Sequence, residues 1–188
     1  MLFNKSLSSP IDRKSLSSSL NSYSSSFKEE ELFRIEFLEL LNHERCFHRD
    51  HFPGHITGSA WIVNKARSKV LLVHHVKLNR WLQPGGHADG EENVLNVAIR
   101  EAEEETGIIG FTSMQPGIFD LDIHLIPARK EIPEHLHYDV RFLLEADDQL
   151  PLLVSEESHD VKWINVNELA SFNDEPSILR LRDKLVLL

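Results

Sequence analysis

The chain has 188 residues and a formal net charge of −10 at pH 7. This length is sufficient for one domain with a sizeable hydrophobic core. The negative charge argues against a general nucleic-acid-binding surface and against an anionic membrane as partner, because both are themselves negatively charged. A small anionic substrate is compatible with this charge, since a bound metal ion can supply positive charge locally.

The sequence also carries signals about the cellular compartment. A single cysteine, Cys46, excludes an internal disulfide and fits a reducing environment. No apolar run reaches the length of a transmembrane helix, and the N-terminus lacks the apolar core of a secretory signal peptide. We therefore expect a cytoplasmic protein without membrane contact.

Residues 1–27 are rich in serine, and low complexity of this kind is typical of disorder. Leu16, Leu20 and Tyr23 recur at helical spacing, however, so a weak amphipathic helix is the alternative. A firmer helix is predicted over residues 29–41, where large apolar side chains exceed what one buried face requires. It should pack on the body of the protein or on a second subunit, which leaves a homodimer open.

The main domain is predicted to span residues 46–188, after a helical and serine-rich extension over residues 1–45. Runs of β-branched and apolar residues predict strands over residues 56–63, 70–76, 117–126, 138–146 and 161–166, followed by helices over residues 167–171 and 175–187. The first two strands should form a hairpin. Strands interleaved with a few helices indicate a mixed sheet of the α+β class.

Residues 81–108 are the most informative stretch of the chain. They open with a proline followed by Gly85 and Gly86, which allow positive φ and the close approach of another group. A helix is predicted to begin at Asp89, an acceptor placed three residues before Glu92. Gly107 should end this helix, because glycine readily adopts the left-handed conformation of a C-terminal cap.

Acidic residues dominate the last turns of this predicted helix. Helical geometry places Glu101, Glu104 and Glu105 on one face and turns Glu103 away. Like charges at i and i+4 repel, and three close carboxylates form a hard-oxygen site suited to Mg²⁺ or Mn²⁺. Arg100 can pair with Glu104, which would orient the acids without displacing a metal. A solvated acidic face is the alternative, but it leaves the glycine turn and Arg100 unexplained.

The same stretch resembles the signature of the Nudix hydrolase family. That signature reads Gly, five residues, Glu, seven residues, Arg-Glu, an apolar residue, any residue, Glu-Glu, any residue, Gly and an apolar residue. Its positions here are Gly86, Glu92, Arg100, Glu101, Ala102, Glu104, Glu105, Gly107 and Ile108. No fixed position departs from the pattern. The resemblance implies an α/β/α sandwich with a mixed sheet, from about residue 56 to the C-terminus.

Members of this family hydrolyse the pyrophosphate bond of a nucleoside diphosphate linked to another group. The resemblance implies Glu101 and Glu105 as metal ligands, with Mg²⁺ or Mn²⁺ as cofactor. It implies that Glu104 is a third ligand or a proton acceptor, that Arg100 orients the acids, and that a backbone carbonyl at Gly85 is a further candidate ligand. A nucleotide sugar, ADP-ribose, a nucleoside triphosphate or a dinucleoside polyphosphate would fit as substrate.

Two features outside the signature are candidates for catalysis and substrate binding. The signature does not fix the general base, and Glu157, in the loop before the last strand, is the leading late candidate. An ordinary polar loop is the alternative for this residue. His87 directly follows the double glycine and is expected to contact substrate.

The strand near residue 138 carries a polar face. Side chains alternate along a strand, so His135, His137, Asp139 and Arg141 share one side, and the other side is apolar. We expect the polar side to face water or to line the substrate cleft, where it offers donors for phosphate and ribose oxygens. A zinc site is a weaker variant, because a fourth ligand is not in view. The histidines near residue 50, His55 among them, are predicted to lie on the surface.

Two rival functions use a related architecture. An isomerase of the isopentenyl diphosphate type needs a positioned cysteine, and Cys46 lies in no matching motif. A non-catalytic nucleotide sensor could lose its acids, whereas every acid of the signature is present. We therefore predict a metal-dependent pyrophosphohydrolase, with a capped RNA end disfavoured by the acidic charge.

Overall fold

The computed structural model describes residues 12–188, so the serine-rich start at residues 1–11 lies outside the described part. The elements are α1 (Arg13–Ser22), α2 (Lys28–Leu40), β1 (Gly54–Val63), β2 (Lys69–His75), β3 (Arg80–Leu82), β4 (Gly85–His87), α3 (Val94–Thr106), β5 (Thr112–Ser113), β6 (Asp120–Ile126), β7 (His135–Glu145), β8 (Ser158–Asn165), a 3₁₀ helix (Val166–Ser171) and α4 (Pro176–Val186). Among these described residues, no helix has both the length and the apolar character needed to cross a membrane.

The strands form one mixed sheet with β1 at its centre. β1 pairs in parallel with β7 along its whole length, and antiparallel with β2 and β4. β5 and β6 pair with β7, while β3 and β8 pair with β2, all in antiparallel fashion. The predicted hairpin of the first two strands is therefore confirmed. The parallel pair requires a long crossover connection, and α3 lies within it.

Both faces of the sheet are buried. Ile62 of β1 belongs to the core that includes residues of α1, α2 and α3, whereas its neighbours Trp61 and Val63 belong to the core that includes residues of the 3₁₀ helix and α4. Period-two alternation in a central strand thus supplies two cores at once. Helices on both faces of a mixed sheet confirm the predicted α/β/α sandwich.

The start of α3 differs from the prediction. Asn93 caps this helix, and its side-chain oxygen accepts the N–H of Asn96 at 3.2 Å. Asp89 lies in a preceding turn with a φ of 50°, and its carboxylate binds Arg49. The predicted cap is wrong because the acceptor–acid spacing also occurs in a turn that leads into a helix. The predicted end at Gly107 is confirmed, since its φ is 74°.

The two N-terminal helices pack on the domain. Leu16, Leu20 and Phe37 are fully buried, and Arg13 Nε meets Glu92 Oε1 at 3.0 Å. The helical alternative is therefore confirmed for α1, and the expectation of disorder is wrong for that segment. The boundary between the extension and the main domain stays a prediction.

Only part of the apolar surface of α2 is buried against the domain. The ring of Phe37 meets that of Tyr138 edge to face, with centroids 5.3 Å apart. Leu32 and Ile35 of the same helix are 63% and 48% exposed. Packing within one chain therefore does not account for every large apolar residue of α2, and the homodimer stays a prediction.

We expect Phe37→Ala to lower the free energy of unfolding by about 3–5 kcal/mol, because it removes a fully buried ring and leaves a cavity. Leu32→Ala is the matched control on the same helix, and we expect a change within about 0.5 kcal/mol because Leu32 is exposed. Urea unfolding of both variants measures the difference. Equal, small effects would show that α2 does not stabilise the domain.

Candidate active site

Strand β4 brings two glycines against side chains, and neither glycine has the positive φ that the sequence allowed. β4 pairs antiparallel with β1, so Gly85 lies opposite Ser59. A Cβ atom at Gly85 would overlap the Ser59 side chain, and one at Gly86 would overlap the carboxylate of Glu101. A side chain at Gly85 would push β4 away from Ser59 on β1, whereas a side chain at Gly86 would displace the carboxylate of Glu101 at the end of α3.

Two carboxylates at the end of α3 are largely removed from water. Glu105 is buried, and its Oε1 accepts the backbone N–H of Gly85 at 3.0 Å. Burial raises the pKa of Glu105 to about 8, and the charges of Glu101, Glu157 and Glu104 add to that effect. The Glu101 side chain is 17% exposed, and burial raises its pKa as well. Both carboxylates would be stabilised in their charged form by a nearby cation.

Arg100 approaches this acidic pair from one side. Its Nη1 lies 2.8 Å from Glu101 Oε1 and 3.3 Å from Glu104 Oε2, so the predicted i,i+4 pairing is present. Its Nη2 donates to the carbonyl of His87 at 3.1 Å, which ties α3 to β4. Glu103 turns away and accepts the backbone N–H of Gly110, also as predicted.

Two residues from other loops extend the site. Glu157 is exposed in the turn before β8, and its charge contributes to the raised pKa values of Glu101 and Glu105. Arg49 donates to the carboxylate of Asp89 and also lies within the electrostatic influence of Glu157. The structure thus brings Glu157 near the acids, while its role as a base stays a prediction. Sequence reasoning missed Arg49, because a lone arginine in a polar loop carries no spacing signal.

Three of the four residues predicted to face water or a cleft are buried instead, namely His135, Asp139 and Arg141. Asp139 and Arg141 are each 2% exposed. Asp139 accepts hydrogen bonds from Thr57 at 3.0 Å, from Ser59 at 2.7 Å and from Arg141 Nε at 2.9 Å. The expectation of an open polar face is therefore wrong for all three residues, because side chains of neighbouring elements cover that part of β7.

The partners of Arg141 form a buried charge network. Its Nη1 and Nη2 reach Asp120 at 3.2 Å and Asp122 at 3.0 Å on β6. Arg180 of α4 adds a second guanidinium, 2.8 Å from Asp120. Each charged group of this network lies next to an opposite charge, and its ion pairs connect β6, β7 and α4. Removal of one partner would leave a buried charge unpaired.

The histidines of the same strand have a different environment. His135 is 6% exposed, and His137 is partly buried. The ring of each lies close to the ring of His55, with a centroid distance of 5.0 Å in both cases. His55 itself is only 1% exposed, so the prediction that it lies on the surface is wrong. Burial lowers the pKa of His137 to about 2 and that of His87 to about 4. His87 packs against this group, with its ring centroid 5.0 Å from that of His137.

The geometry of the turn and helix agrees with a comparison of the whole sequence. The NUDIX domain family model matches residues 54–185. The chain belongs to the Nudix family. At its signature, Gly85 and Gly86 of β4 lie against the carboxylates of Glu105 and Glu101 on α3.

Curated relatives support the same family and indicate a hydrolase that acts on pyrophosphate bonds. A probable DHNTP pyrophosphohydrolase of Lactococcus lactis is 32% identical over 124 residues, which cover 64% of this chain and 72% of the relative. An asymmetrical bis(5'-nucleosyl)-tetraphosphatase of Rattus norvegicus is 30% identical over 112 residues, covering 57% of this chain and 69% of the relative.

Solved structures show that this Nudix chain shares its fold with known proteins. An Ap4A hydrolase of C. elegans superposes with a TM-score of 0.57 at 20% identity, covering 70% of this chain and 95% of the other. A NUDIX-family hydrolase from Clostridium perfringens gives a TM-score of 0.51 at 25% identity, covering 71% and 97%.

The buried charge network generates a prediction about acid stability. Although burial alone would raise them, the guanidinium groups of Arg180 and Arg141 lower the pKa values of Asp120 and Asp122 below their ordinary value of 3.8. A lowered pKa in the folded state gives stability that is present above the unfolded pKa and is lost as pH falls. The free energy of unfolding should therefore begin to decrease as the pH falls below about 5 and should decrease most steeply below the ordinary aspartate pKa of 3.8.

Comparison with Asp122→Asn tests this origin of the acid sensitivity. The variant should be less stable at neutral pH, and its stability should fall less steeply on acidification because one titrating group is gone. Urea unfolding at a series of pH values gives both slopes. Parallel slopes for the two proteins would assign the acid sensitivity to other groups.

Proposed function

We propose that this Nudix protein hydrolyses a pyrophosphate bond in a nucleotide derivative with the help of a bound divalent cation, Mg²⁺ or Mn²⁺. One observation carries the proposal. The carboxylates of Glu101 and Glu105 are largely buried and lie against the two glycines of β4. Their pKa values are raised. Shielded acids of like charge at the end of one helix are a suitable site for a hard cation.

The donor set fits such an ion. Glu101 and Glu105 would hold it, with Glu104 and the carbonyl of Gly85 as further candidate donors. All of these are oxygen atoms, which Mg²⁺ and Mn²⁺ prefer. When bound, a divalent ion polarises phosphate oxygens and lowers the pKa of coordinated water.

The chain's own side chains have distinct roles in this proposal. Arg100 positions the acids, because it contacts Glu101 and Glu104 and is itself held by the carbonyl of His87. Glu104, with a side chain 59% exposed, and Glu157, also exposed, are the two candidates for accepting the proton of the attacking water. Their exposure leaves them free to exchange that proton with solvent.

The substrate is proposed to carry a chain of at least three phosphates. The two curated relatives are named for DHNTP, a triphosphate, and for a bis-nucleosyl tetraphosphate. Both names favour nucleoside triphosphate-like or dinucleoside polyphosphate substrates over a nucleotide sugar or ADP-ribose. His87, His135 and His137 remain the candidates for contact with substrate, whereas Asp139 and Arg141 are buried and hydrogen-bonded to each other. A cytoplasmic location remains part of the proposal.

The rival isomerase function is disfavoured by the position of the cysteine. Cys46 is fully buried in the core beneath α1 and α2, and burial raises the pKa of its thiol to about 11. A thiol that serves as an acid at a metal site needs access to substrate. A non-catalytic sensor differs from an enzyme only in turnover, so an assay separates the two.

A substrate panel tests the proposal. The full chain with Mg²⁺ is incubated with dihydroneopterin triphosphate, a dinucleoside tetraphosphate, a nucleotide sugar and ADP-ribose, and the products are separated by chromatography. We expect cleavage within the phosphate chain of the first two, at a rate that depends on the divalent ion. Binding of these compounds without any turnover would favour the sensor.

Glu105→Gln should lower turnover by at least about a thousandfold, because it removes a charged metal ligand from the reaction centre. Glu103→Gln is the matched control on the same helix, since Glu103 turns away from the site. We expect near wild-type turnover for the control, and both variants should fold. Near wild-type activity of Glu105→Gln at saturating Mg²⁺ would contradict the site assignment.

A further inference from the structure

A group of three histidines lies on one side of the central parallel strand pair. His55 of β1 is in register with His137 of β7, and His135 lies two residues before His137, on the same side of its strand. One ring nitrogen from each residue can be chosen so that all three lie within 4.8 Å of one another. Parallel pairing of β1 with β7 thus assembles a set of nitrogen donors from two distant parts of the sequence.

Two ring nitrogens of this histidine group are buried without a hydrogen-bond partner among the described residues. They are Nε2 of His55, a residue only 1% exposed, and Nε2 of His137. Buried polar atoms in folded proteins are almost always paired, so an unpaired one indicates an unseen partner. Both atoms belong to the same group of rings, which points to one shared partner rather than two unrelated ones.

Hydrogen bonds fix which nitrogen of two rings is free. His135 Nδ1 lies 2.9 Å from the carbonyl of Pro133, and His55 Nδ1 lies 3.3 Å from the carbonyl of His51. A carbonyl only accepts, so Nδ1 carries the hydrogen in both rings, and Nε2 of the neutral ring presents a lone pair. A histidine that donates its outer N–H to a carbonyl while its other nitrogen is free has the usual arrangement of a metal ligand.

We propose that His55, His135 and His137 bind a divalent transition-metal ion of the Zn²⁺ type through their ring nitrogens. Zn–N bonds are about 2.0–2.1 Å long, so ligand nitrogens around one ion lie up to about 4.2 Å apart. The ligand nitrogens of the observed group lie within 4.8 Å of one another, so binding would require them to move closer by about 0.6 Å or less. Three imidazoles leave a fourth position open for water or a substrate oxygen.

The donor chemistry separates this site from the acids of α3. Imidazole nitrogen favours Zn²⁺ and its transition-metal neighbours, whereas the carboxylate oxygens of Glu101 and Glu105 favour Mg²⁺ or Mn²⁺. The two sites are nevertheless adjacent, because His87 packs on the histidine group and its carbonyl accepts from Arg100. The proposal does not depend on turnover, so it stands or falls separately from the proposed hydrolase function.

Zn²⁺ titration of the full chain against a chromophoric chelator, in excess Mg²⁺, tests the proposal. We expect one tightly bound Zn²⁺ per chain, which excess Mg²⁺ does not displace. His137→Ala should weaken Zn²⁺ binding by at least about a hundredfold, since loss of an outer partner alone costs about 10–100-fold. His159→Ala, which removes an exposed histidine outside the group, is the matched control and should bind as the wild type does.

Glu105→Gln distinguishes the two metal sites and should leave Zn²⁺ affinity unchanged. Equal Zn²⁺ affinity of His137→Ala and the wild type would overturn the proposal, and so would loss of Zn²⁺ binding in Glu105→Gln. X-ray absorption at the zinc edge of the wild-type protein needs no variant to fold. It should show imidazole nitrogens at about 2.0–2.1 Å, and a shell of carboxylate oxygens alone would overturn the assignment.

Discussion

The burial of the Glu101 and Glu105 carboxylates against the two glycines of β4 is the constraint on which the rest of the site depends. Glu101 and Glu105 lie one helical turn apart, close to the backbone of Gly85 and Gly86, and both side chains are largely buried. Burial and mutual repulsion both disfavour their charged forms, which raises their pKa values. A divalent cation relieves both effects at once. The packing of α3 on β1 and the pairing of β1 with β4 maintain this arrangement.

Three polar groups in this protein differ in how their charges or lone pairs are balanced. Arg141, Arg180 and Lys184 face the aspartates of β6 and β7, so each of these buried aspartates has a cationic partner and the network has a structural role. Among residues 12–188, Arg100 forms the direct ion pairs with the acids of α3, and Arg49 adds a weaker electrostatic interaction with Glu101. The histidine group has two buried ring nitrogens, Nε2 of His55 and Nε2 of His137, for which the described residues offer no hydrogen-bond partner. We assign the acids of α3 and the histidine group to metal ions, because a bound cation would supply the counter-charge or the partner that these groups lack.

Sequence patterns predicted the features that depend on local spacing. The acids of α3, the pairing of Arg100 with Glu104 and the end at Gly107 all follow from helical periodicity and from the conformational freedom of glycine. Alternation showed that Asp139 shares a side of its strand with its neighbours, but not what covers that side. Its environment includes Thr57 and Ser59 of β1, which are 82 and 80 residues earlier in the chain. The burial of His55 was not predicted either. Only the parallel pairing of β1 with β7 brings this residue next to the histidines of β7.

Binding of Mn²⁺ to the full chain, followed by electron paramagnetic resonance, tests the central claim most directly, because it reports on the ion without requiring the substrate. The wild-type protein should bind Mn²⁺. Glu101→Gln and Glu105→Gln should each weaken that binding by at least about tenfold, since each removes a charged oxygen ligand. Glu103→Gln should bind Mn²⁺ as the wild type does. Unchanged Mn²⁺ affinity in both Glu101→Gln and Glu105→Gln would contradict a cation site at the end of α3.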